Sequence, residues 1–592
     1  MDEAKLILFH IGPVQDFIRS SRRSRDLWFG SWLLSELSKT AALEIVEQNG
    51  GDLEWSLIFP APETLSELKS DSFNVANRIV ARTKKAPTEL AEAVRARVLS
   101  RLREISDETF SRVEDTAEFD RKTAELQVDD LLEFFWAACP LGNDYAKARF
   151  EVESLMAARK VTRNFYSSTW GSSQAKSSLD GLRESVIPKS AYNATNEREL
   201  RRKYGVSKGE RLCGIGMLKR HGKRGGQDHF YSTSHMAAMT LLDRLDESHK
   251  KAVDEYISTL KELGIGPDAL NTVPIPHKIF GCNDGHLLFS ERLAEFFEGN
   301  NLEQAQKALD KFLKEAFGGD KPNPYYVLLQ ADGDNMGMII NEQKTIEQHK
   351  DLSRRLSMFA QKVDPIVDNH RGCLIYAGGE DVLALLPIHT ALDCAKTLAA
   401  TFAQDMSDFV VVNPDTKSHI QPTLSVGLAI VHHLEPLSSA LETVRQAERY
   451  AKSIRGKNAL AVTLTKRGGS ERTVGGTWGT VDQRLEYFIE LFLKEEIPAQ
   501  LAYELEALAI TFEGPGEGYS VVPHGAISAE VRRIVGRKKA EGGTRDISED
   551  VAKRLADLVE SRDMTVGQLA DELIVARELA SAYKLSRKEE KR

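Results

Sequence analysis

A chain of 592 residues is too long for one hydrophobic core, so we expect about three or four domains. Its 41% apolar content, 28% charged content and net charge of −9 are ordinary for a globular protein and exclude a chain-wide polyanion-binding surface. No run of about 18 apolar residues predicts a membrane span, and scattered cysteines without a CxxC pair indicate a reducing cytoplasm. Basic runs at 18–25 and 531–539 are candidates for nucleic-acid contact, although such runs are also typical of solvated helix faces.

The first predicted domain, residues 1–163, begins with a strand at 5–11 rather than a signal peptide, because its start has no basic segment or cleavage site. A helical pattern follows to about residue 48. Glu, Arg, Leu and Ala then recur at helical spacing over 88–160, which predicts long helices. We therefore expect helical additions around the sheet of this domain.

The second predicted unit, residues 164–320, begins as an insertion. Ser, Gly, Lys and Arg dominate to about residue 230, which is typical of a loop-rich module. Helical patterning returns at 235–264 and again at 301–317. Between these helices, KIFGCNDGHLLFS (278–290) predicts a strand–turn–strand, because Asn-Asp-Gly is a turn signal.

The alternation of predicted strands and helices is clearest in the third predicted domain, residues 321–470. Strands and helices alternate there as in the split βαβ, or ferredoxin-like, plan with one helix and one strand added. The first domain is a candidate diverged copy of this plan, and residues 471–592 are predicted to form a helical C-terminal domain. The predicted fold class is therefore α+β. The predicted elements lie at 325–331, about 342–369, 372–377, 382–386, about 389–408, 422–431, 436–454 and 459–464.

Three carboxylates of this domain are predicted to carry its chemistry. Asp332 directly follows the first strand, and Gly378, Gly379, Glu380 and Asp381 form the tip of the predicted hairpin. Because these elements are central neighbours in a ferredoxin-like sheet, the three acids are expected to converge and repel. Oxygen-only ligands then indicate Mg²⁺ or Mn²⁺, completed by nucleotide phosphates. Asp332, Glu380 and Asp381 are the predicted metal ligands and catalytic residues, although either motif alone is also typical of a plain turn.

Residues around these acids are predicted to bind the nucleotide. The hairpin glycines leave space for a substrate, and the glycines of DGDNMG (332–337) allow amides near a helix start to face phosphates. Two ions there could polarise an attacking 3′-hydroxyl and neutralise the leaving pyrophosphate. ERYAKSIRGKN supplies cations for a triphosphate, although Lys452 is also typical of a helix surface. The predicted nucleotide-binding residues are Gly333, Asp334, Asn335, Met336, Gly337, Gly378, Gly379, Lys452 and Lys457, with Arg455 as a further candidate.

This constellation resembles the GGDEF and nucleotidyl-cyclase palm family, in which a first-strand Asp and the acidic pair of a Gly-Gly hairpin hold metals. In that family a late AK…G[RK]N segment helps to bind phosphate. AKSIRGKN stands at the corresponding place here and is one residue longer between Lys and Asn than in diguanylate cyclases. Val382 stands where those enzymes have Phe after the acidic pair.

Blocks along most of the chain resemble the large subunit of type III-B CRISPR effector (Cmr) complexes. This resemblance implies two palm domains, an insertion and a C-terminal helical domain, and an enzyme that converts ATP into cyclic oligoadenylate when target RNA pairs with the guide. It implies other Cmr subunits, guide RNA and target RNA as partners. Glu380 replaces the first Asp of the family's GGDD hairpin, and we expect activity to survive because the longer carboxylate still binds Mg²⁺. The blocks are HIGPVQDFIRSSRRSRDLWFGSWLLSEL (10–37), FFWAACPLGNDY (134–145), LMAARKVTRNF (155–165), LCGIGMLKR (212–220) and DHFYSTSHMA (228–237).

The chain also departs from this family in two places. Many members begin with an HD nuclease domain, whereas this chain starts at the palm strand and has no His-Asp dipeptide, so we expect no DNase activity of that type. Many carry a four-cysteine zinc site in the insertion, whereas here Cys213 is followed by Gly216 at the second cysteine position. One thiolate is insufficient for a structural zinc, so we expect none. Candidate contacts for a second nucleotide are SSRRSR (20–25) and the segment Ser232–Thr233.

Three functions are compatible with these patterns. The leading hypothesis is an RNA-activated nucleotidyltransferase that uses ATP and a divalent metal to make a cyclic oligoadenylate or to join a nucleotide to another adenosine-containing cofactor. The second is an inactive palm pair that holds guide RNA, target RNA and sister subunits, which the intact acids argue against because facing carboxylates without metal cost stability. The third is a free-standing diguanylate cyclase, which the long N-terminal half and the absent sensor-domain pattern disfavour.

Overall fold

The fold is described from a computed structural model. It describes residues 4–162, 171–194, 197–224, 230–266, 269–270, 272–412, 417, 419–512, 523–540 and 546–587. Within these ranges, no helix combines the length and the apolar character that crossing a bilayer requires.

Two separate sheets share the ferredoxin-like strand order. The first sheet has the order β2-β3-β1-β4, with every neighbouring pair antiparallel. Its fourth strand falls inside 88–160, where long helices are predicted, so the prediction holds for α5 and α7 but misses this strand. The segment EFFWAACP is rich in aromatic residues, and its pairing with β1 completes the sheet. The strands are β1 (Lys5–Gly12), β2 (Leu57–Phe59), β3 (Arg78–Thr83) and β4 (Glu133–Pro140).

Seven helices accompany this sheet among the described residues. The longest of them, α5, has Pro87 in its first turn and buries Leu90, Val94, Val98 and Leu102, which recur every four residues and pack on α2. The helices are α1 (Gln15–Arg19), α2 (Ser24–Gln48), α3 (Leu53–Ser56), α4 (Leu65–Lys69), α5 (Pro87–Glu114), α6 (Arg121–Asp129) and α7 (Tyr145–Val161).

The middle of the chain is helical and contains no hairpin at 278–290. Asp284 accepts a hydrogen bond from the His286 amide and caps a 3₁₀ turn at Gly285–Leu288, so the Asn-Asp-Gly signal begins a helical turn and the predicted strands are wrong. A second 3₁₀ turn spans Glu247–His249. The helices are α8 (Lys189–Ala194), α9 (Glu197–Tyr204), α10 (Gly214–His221), α11 (Thr233–Leu242), α12 (Lys250–Glu262), α13 (Ser290–Leu293) and α14 (Gly299–Phe317).

The second sheet has six strands in the order β12-β11-β10-β5-β7-β6. Its ferredoxin-like core is β10-β5-β7-β6, and β11 extends it in parallel to β10. The sheet continues through β12, past the predicted domain boundary at 470. The strands are β5 (Tyr325–Gly333), β6 (Cys373–Gly378), β7 (Asp381–Pro387), β8 (Val411–Val412), β9 (His419–Ile420), β10 (Leu424–His432), β11 (Ala459–Leu464) and β12 (Arg472–Thr477), with β8 and β9 forming a small sheet of their own.

Helices cover this sheet and form the C-terminal part of the chain, so the predicted α+β class with two palm sheets and a helical end is confirmed. The apolar face of the sheet packs with α16 and α17 in one core that continues into α19 to α23. The helices are α15 (Met336–Glu342), α16 (Ile346–Asn369), α17 (Ala391–Asp405), α18 (Leu437–Ser453), α19 (Val481–Leu493), α20 (Gln500–Phe512), α21 (His524–Gly536), α22 (Glu549–Glu560) and α23 (Val566–Ser586).

Buried polar contacts join the two palms beside the helix that follows β5. The Arg149 guanidinium of α7, which is 3% exposed, donates to the carbonyl oxygens of Ile340 and Gln343 at the end of α15. The Tyr145 hydroxyl lies 2.5 Å from Nδ1 of His349. Because unpaired buried polar groups cost stability, these contacts fix one orientation of the first palm on α15 and α16.

Candidate functional site

The three predicted acids lie at one edge of the second sheet. The antiparallel register of β5 and β7 places Asp332 beside Asp381. A methyl group added at Gly333 would come within 2.7 Å of the Glu380 Cβ, so β5 runs close beneath the hairpin. The backbone therefore brings Asp332, Glu380 and Asp381 together from two segments that are separate in the chain.

Two residues of α18 complete this group of charges. Lys452 forms an ion pair with Asp332. Glu448 lies one turn earlier, with its carboxylate 3.6 Å from the Lys452 ammonium, and its side chain is 11% exposed. A methyl group added at Gly427 of β10 would lie 2.3 Å from the Glu448 amide nitrogen, so the helix can approach the sheet only because this strand carries a glycine.

The surroundings of the acids disfavour their charged forms. Desolvation by the surrounding protein, reinforced by the charges of Glu380 and Glu448, raises the pKa of Asp381 to about 7, although its side chain remains open to solvent. Burial also raises the pKa values of Glu380 and Glu448. Burial lowers the pKa of Lys452 to about 8, whereas its ion pair with Asp332 favours the ammonium form. A bound cation would relieve the repulsion among the acids.

Each glycine of the Gly-Gly hairpin meets a different structural requirement. Gly378 pairs with Asp381, so Gly379 and Glu380 form a two-residue turn, and Gly379 has a left-handed φ of 68°. A methyl group at Gly378 would lie 1.9 Å from the hydroxyl oxygen of Tyr376, which fills the space beside the hairpin. The first glycine therefore makes room for a side chain of the protein, while the second makes the turn.

The donor chemistry of the site fits a hard divalent cation. Among the residues that the structure describes, no three His, Cys, Asp or Glu side chains are already gathered around one ion position, so the predicted cluster is not preassembled. Mg²⁺ commonly binds one or two protein carboxylates and takes its other ligands from water and phosphates. Glu380 and Asp381 can supply those carboxylates, and Asp332 can join them when Lys452 releases it.

Two side chains of the predicted nucleotide-binding loop (332–337) are buried in the protein. The side chain of Asp334 is buried among Thr423, Ser425 and Asn458, so it does not face a ligand. Met336 is 6% exposed and packs in the core.

The remaining residues of this loop and the basic turn lie closer to solvent. Asn335 has a left-handed φ of 62° and accepts a hydrogen bond of 3.1 Å from the Lys457 ammonium. Gly337 and Arg455 are exposed. α15, which follows this loop, has seven residues. Asn335 and Lys457 therefore join the two segments through their side chains, and the nucleotide contacts predicted for them stay a prediction.

The structure does not bring Ser232 to this site. Its hydroxyl donates to Asp284 at 2.7 Å and caps α11. The neighbouring Thr233 donates to the carbonyl oxygen of His433, just after the end of β10 that lies farthest from Asp332. The role predicted for Ser232 is therefore revised to a structural one, because it lies at the opposite end of the sheet.

The basic run at 20–25 joins the first palm to the insertion. The buried Lys219 ammonium donates to the carbonyl oxygen of Ser20 at 2.7 Å and to the Ser21 hydroxyl at 2.8 Å. Arg25 donates to the carbonyl oxygen of Gly222 at 3.3 Å. The thiol of Cys213, considered above for zinc, caps α10 within this same interface. Most of the run is therefore engaged in packing.

A different part of the first palm reaches the acids. The positive charge of Arg78, at the start of β3, opposes the rise in the pKa of Glu380. Arg78 pairs across the sheet with His10 and forms an ion pair of 2.8 Å with Glu153. The start of β3 in the first sheet thus lies within electrostatic range of Glu380 in the second.

Glu448, Arg78 and Tyr376 are the residues of this site that sequence reasoning missed. The spacing of Glu448 four residues before Lys452 is a readable sign that the two share a helix face. No such sign exists for Arg78, because its proximity to Glu380 depends on how two domains pack.

Two regions of the chain match known protein families. Residues 325–461 match the family model described as "Cas10/Cmr2, second palm domain", and residues 6–107 match "CRISPR-associated protein Cmr2, N-terminal". The CRISPR system Cmr subunit Cmr2 of Pyrococcus furiosus is 29% identical over 288 residues, which cover 44% of this chain. The aligned region covers 32% of that protein, so the chain matches about a third of its curated relative's length.

Solved structures of type III-B Cmr-beta share the fold. The apo state matches with a TM-score of 0.60 at 13% identity, over 93% of this chain and 78% of the other. The state bound to cognate target RNA matches with a TM-score of 0.60 at 12% identity, over 93% and 80% of the two chains. Residues 6–107 and 325–461 are therefore similar to the N-terminal region of Cmr2 and to the second palm domain of Cas10/Cmr2, which confirms the resemblance of this chain to the large subunit of Cmr effector complexes.

Proposed function

We propose that this chain is the RNA-activated nucleotidyltransferase subunit of a type III-B effector complex and that it makes a nucleotide second messenger from ATP in antiviral defence. The observation that carries the proposal is the convergence of Asp332, Glu380 and Asp381 at neighbouring strand ends, where protein surroundings raise the pKa values of two of them. Such pKa shifts are typical of catalytic and metal-binding sites. Its partners would be other Cmr subunits, guide RNA and target RNA.

The reaction would be the attack of a 3′-hydroxyl or another acceptor hydroxyl on the α-phosphorus of ATP. A phosphodiester bond forms, the bond between the α- and β-phosphates breaks, pyrophosphate leaves, and the hydroxyl proton passes to water or a nearby carboxylate. Mg²⁺ or Mn²⁺ bound by the three acids would supply Lewis-acid stabilisation of the phosphates. Lys452 and Lys457 would hold the triphosphate by charge.

The first palm would present the acceptor. The charge of Arg78 at the start of β3 acts on Glu380, whereas Ser232 lies toward the opposite end of the second sheet, so the part of the first palm around Arg78 is the better candidate for the second nucleotide. The product would be a cyclic oligoadenylate or a nucleotide joined to another adenosine-containing molecule.

A test uses the complex assembled with its guide RNA. Matching target RNA, Mg²⁺ or Mn²⁺ and labelled ATP are added, and mass spectrometry follows pyrophosphate release and the new nucleotide. We expect Glu380→Ala with Asp381→Ala to lower product formation at least about 100-fold without loss of assembly, because both acids act on the reacting phosphates. Glu303→Ala with Asp310→Ala, on the exposed face of α14, is the matched control and should leave the rate unchanged.

Other outcomes of this experiment would support other functions. Product formation that persists in the double variant would contradict the assignment of the acids. Complete assembly and RNA binding without product in the unmodified complex would favour an inactive palm pair that organises guide RNA, target RNA and sister subunits. Consumption of GTP without RNA would favour a diguanylate cyclase.

A further inference from the structure

Asp334 is a fully buried acid directly behind the candidate site, with an exposed fraction of 0%. Its carboxylate accepts hydrogen bonds from the Thr423 hydroxyl at 2.8 Å, the Ser425 hydroxyl at 2.9 Å and the Asn458 amide at 3.0 Å. Its own amide donates to the carbonyl oxygen of Thr423 at 2.7 Å. One side chain thus joins the end of β5, the start of β10 and the turn that follows α18.

The turn held by Asp334 has an uncommon backbone. Lys457 and Asn458 both have left-handed φ values, 55° and 46°, which residues other than glycine adopt at a cost. The Lys457 ammonium reaches back and donates to the side chain of Asn335, the residue after Asp334. The two loops are therefore linked twice, once through a buried carboxylate and once through a half-buried amide side chain.

We propose that Asp334 is a positioning residue that holds the strand end bearing Asp332 and the turn bearing Lys457 in one fixed relation. With this link, the metal-binding carboxylate and a phosphate-binding lysine meet the same nucleotide. Without it, the turn relaxes toward ordinary backbone angles and Lys457 leaves the triphosphate. This inference rests on the proposed function, and it assigns Asp334 to a role behind the site instead of direct contact with the ligand.

A set of variants separates positioning from simple stability. Asp334→Ala removes the link, whereas Asp334→Asn keeps an acceptor for the Asn458 amide and is the conservative rescue. In the complete complex with target RNA, we expect Asp334→Ala to raise the KM for ATP about tenfold while kcat changes less than about threefold, because ground-state binding of the triphosphate is lost. Asp334→Asn should restore the KM to within about threefold of the unmodified value.

A double-variant comparison identifies the residue through which Asp334 acts. Lys457→Met alone should raise the KM for ATP to a similar extent. Combining it with Asp334→Ala should add little, because the lysine is already displaced, and residues in one network are not additive. Additive effects, or an unchanged KM in Asp334→Ala, would overturn the proposal. Asp254→Asn, on the exposed face of α12, is the control and should change neither parameter.

Hydrogen exchange supplies a readout that needs no catalysis. The amide of Asn458 should exchange about tenfold faster in Asp334→Ala than in the unmodified chain, while amides of β10 stay protected. Equal exchange at Asn458 would overturn the link even if the complex makes no product, whereas faster exchange without any product would overturn the proposed function alone. If Asp334→Ala does not assemble, Thr423→Val with Ser425→Ala removes two donors to the same carboxylate and should give the same changes, about threefold in size.

Discussion

At the residue scale, one lysine balances the acids of the candidate site. Lys452 contacts Asp332 directly and has Glu448 within 3.6 Å. Because Asp332 also neighbours Asp381, removal of the lysine charge would leave carboxylates facing each other without a counter-charge. The same contact must break before Asp332 can bind a cation, so Lys452 and the cation compete for one carboxylate.

This competition predicts how Lys452→Met changes stability. Without divalent metal we expect the variant to unfold about 0.5–1 kcal/mol more easily, the range of a partly exposed ion pair. Addition of Mn²⁺ should raise its melting temperature more than that of the unmodified chain, because the ion no longer displaces a lysine and binding to the native state stabilises it. Lys362→Met is the matched control, since it breaks a surface ion pair of 2.6 Å with Asp405 that lies on α16 and α17. Equal metal-induced shifts in Lys452→Met and the unmodified chain would contradict the competition.

At the scale of elements, the close approach of α18 to β10 determines where the charged side chains of Glu448 and Lys452 lie. The helix buries Leu441, Val444, Ala447 and Ala451 against the sheet and so presents Glu448 and Lys452 toward the strand ends. At Gly427 the helix backbone occupies the space that a side chain of the strand would need. A side chain there would push α18 outward, together with both charged residues.

Two glycine substitutions test this packing against each other. Gly427→Ala should destabilise the chain by about 1–3 kcal/mol and raise the KM for ATP, because its methyl group meets helix backbone instead of a flexible side chain. Gly337→Ala places a methyl group in open space on α15 and should be neutral or stabilising by up to about 1 kcal/mol. Denaturant unfolding measures both. A neutral Gly427→Ala would mean that the helix does not depend on this contact.

At the scale of the whole molecule, the two palms behave as one unit because buried polar groups join them. His349 of α16 is 4% exposed, stacks on Phe59 and forms a hydrogen bond with the Tyr145 hydroxyl. Burial, followed by the positive charges of Arg149 and Arg78, lowers the pKa of His349 from 6.5 to about 3. The folded interface therefore holds a neutral imidazole, whereas the unfolded chain protonates it in mild acid.

This difference gives a pH dependence with a defined sign. Between pH 6.5 and about 3 the unfolded state binds more protons at His349, so this residue's contribution to stability is complete above pH 6.5 and is lost as the pH falls. Each pH unit in that window costs up to about 1.4 kcal/mol. His349→Asn keeps an acceptor for Tyr145 without titrating, so its unfolding free energy should fall less steeply with acid. His419→Asn, at an exposed position, is the control, and parallel slopes for His349→Asn and the unmodified chain would contradict the assignment.

The second palm shows how much local sequence can determine. Its strands and helices begin and end within a few residues of the predicted positions, because alternating apolar strands and amphipathic helices are separated by glycine and proline. The prediction failed at β4, where an aromatic segment became a strand only because β1 was available to pair with it. It also failed at 278–290, where a side-chain cap converted a turn signal into a helical turn.

Periodicity and strand order are local properties, so they were enough to predict the α+β plan and to locate three acids after strands that such a sheet makes neighbours. The burial of Asp334 behind the loop, the proximity of Glu448 to the site and the position of Ser232 at the far end of the sheet could not be predicted in this way. Those placements depend on contacts between residues far apart in the chain, and such contacts exist only after the helices and the two palms have packed.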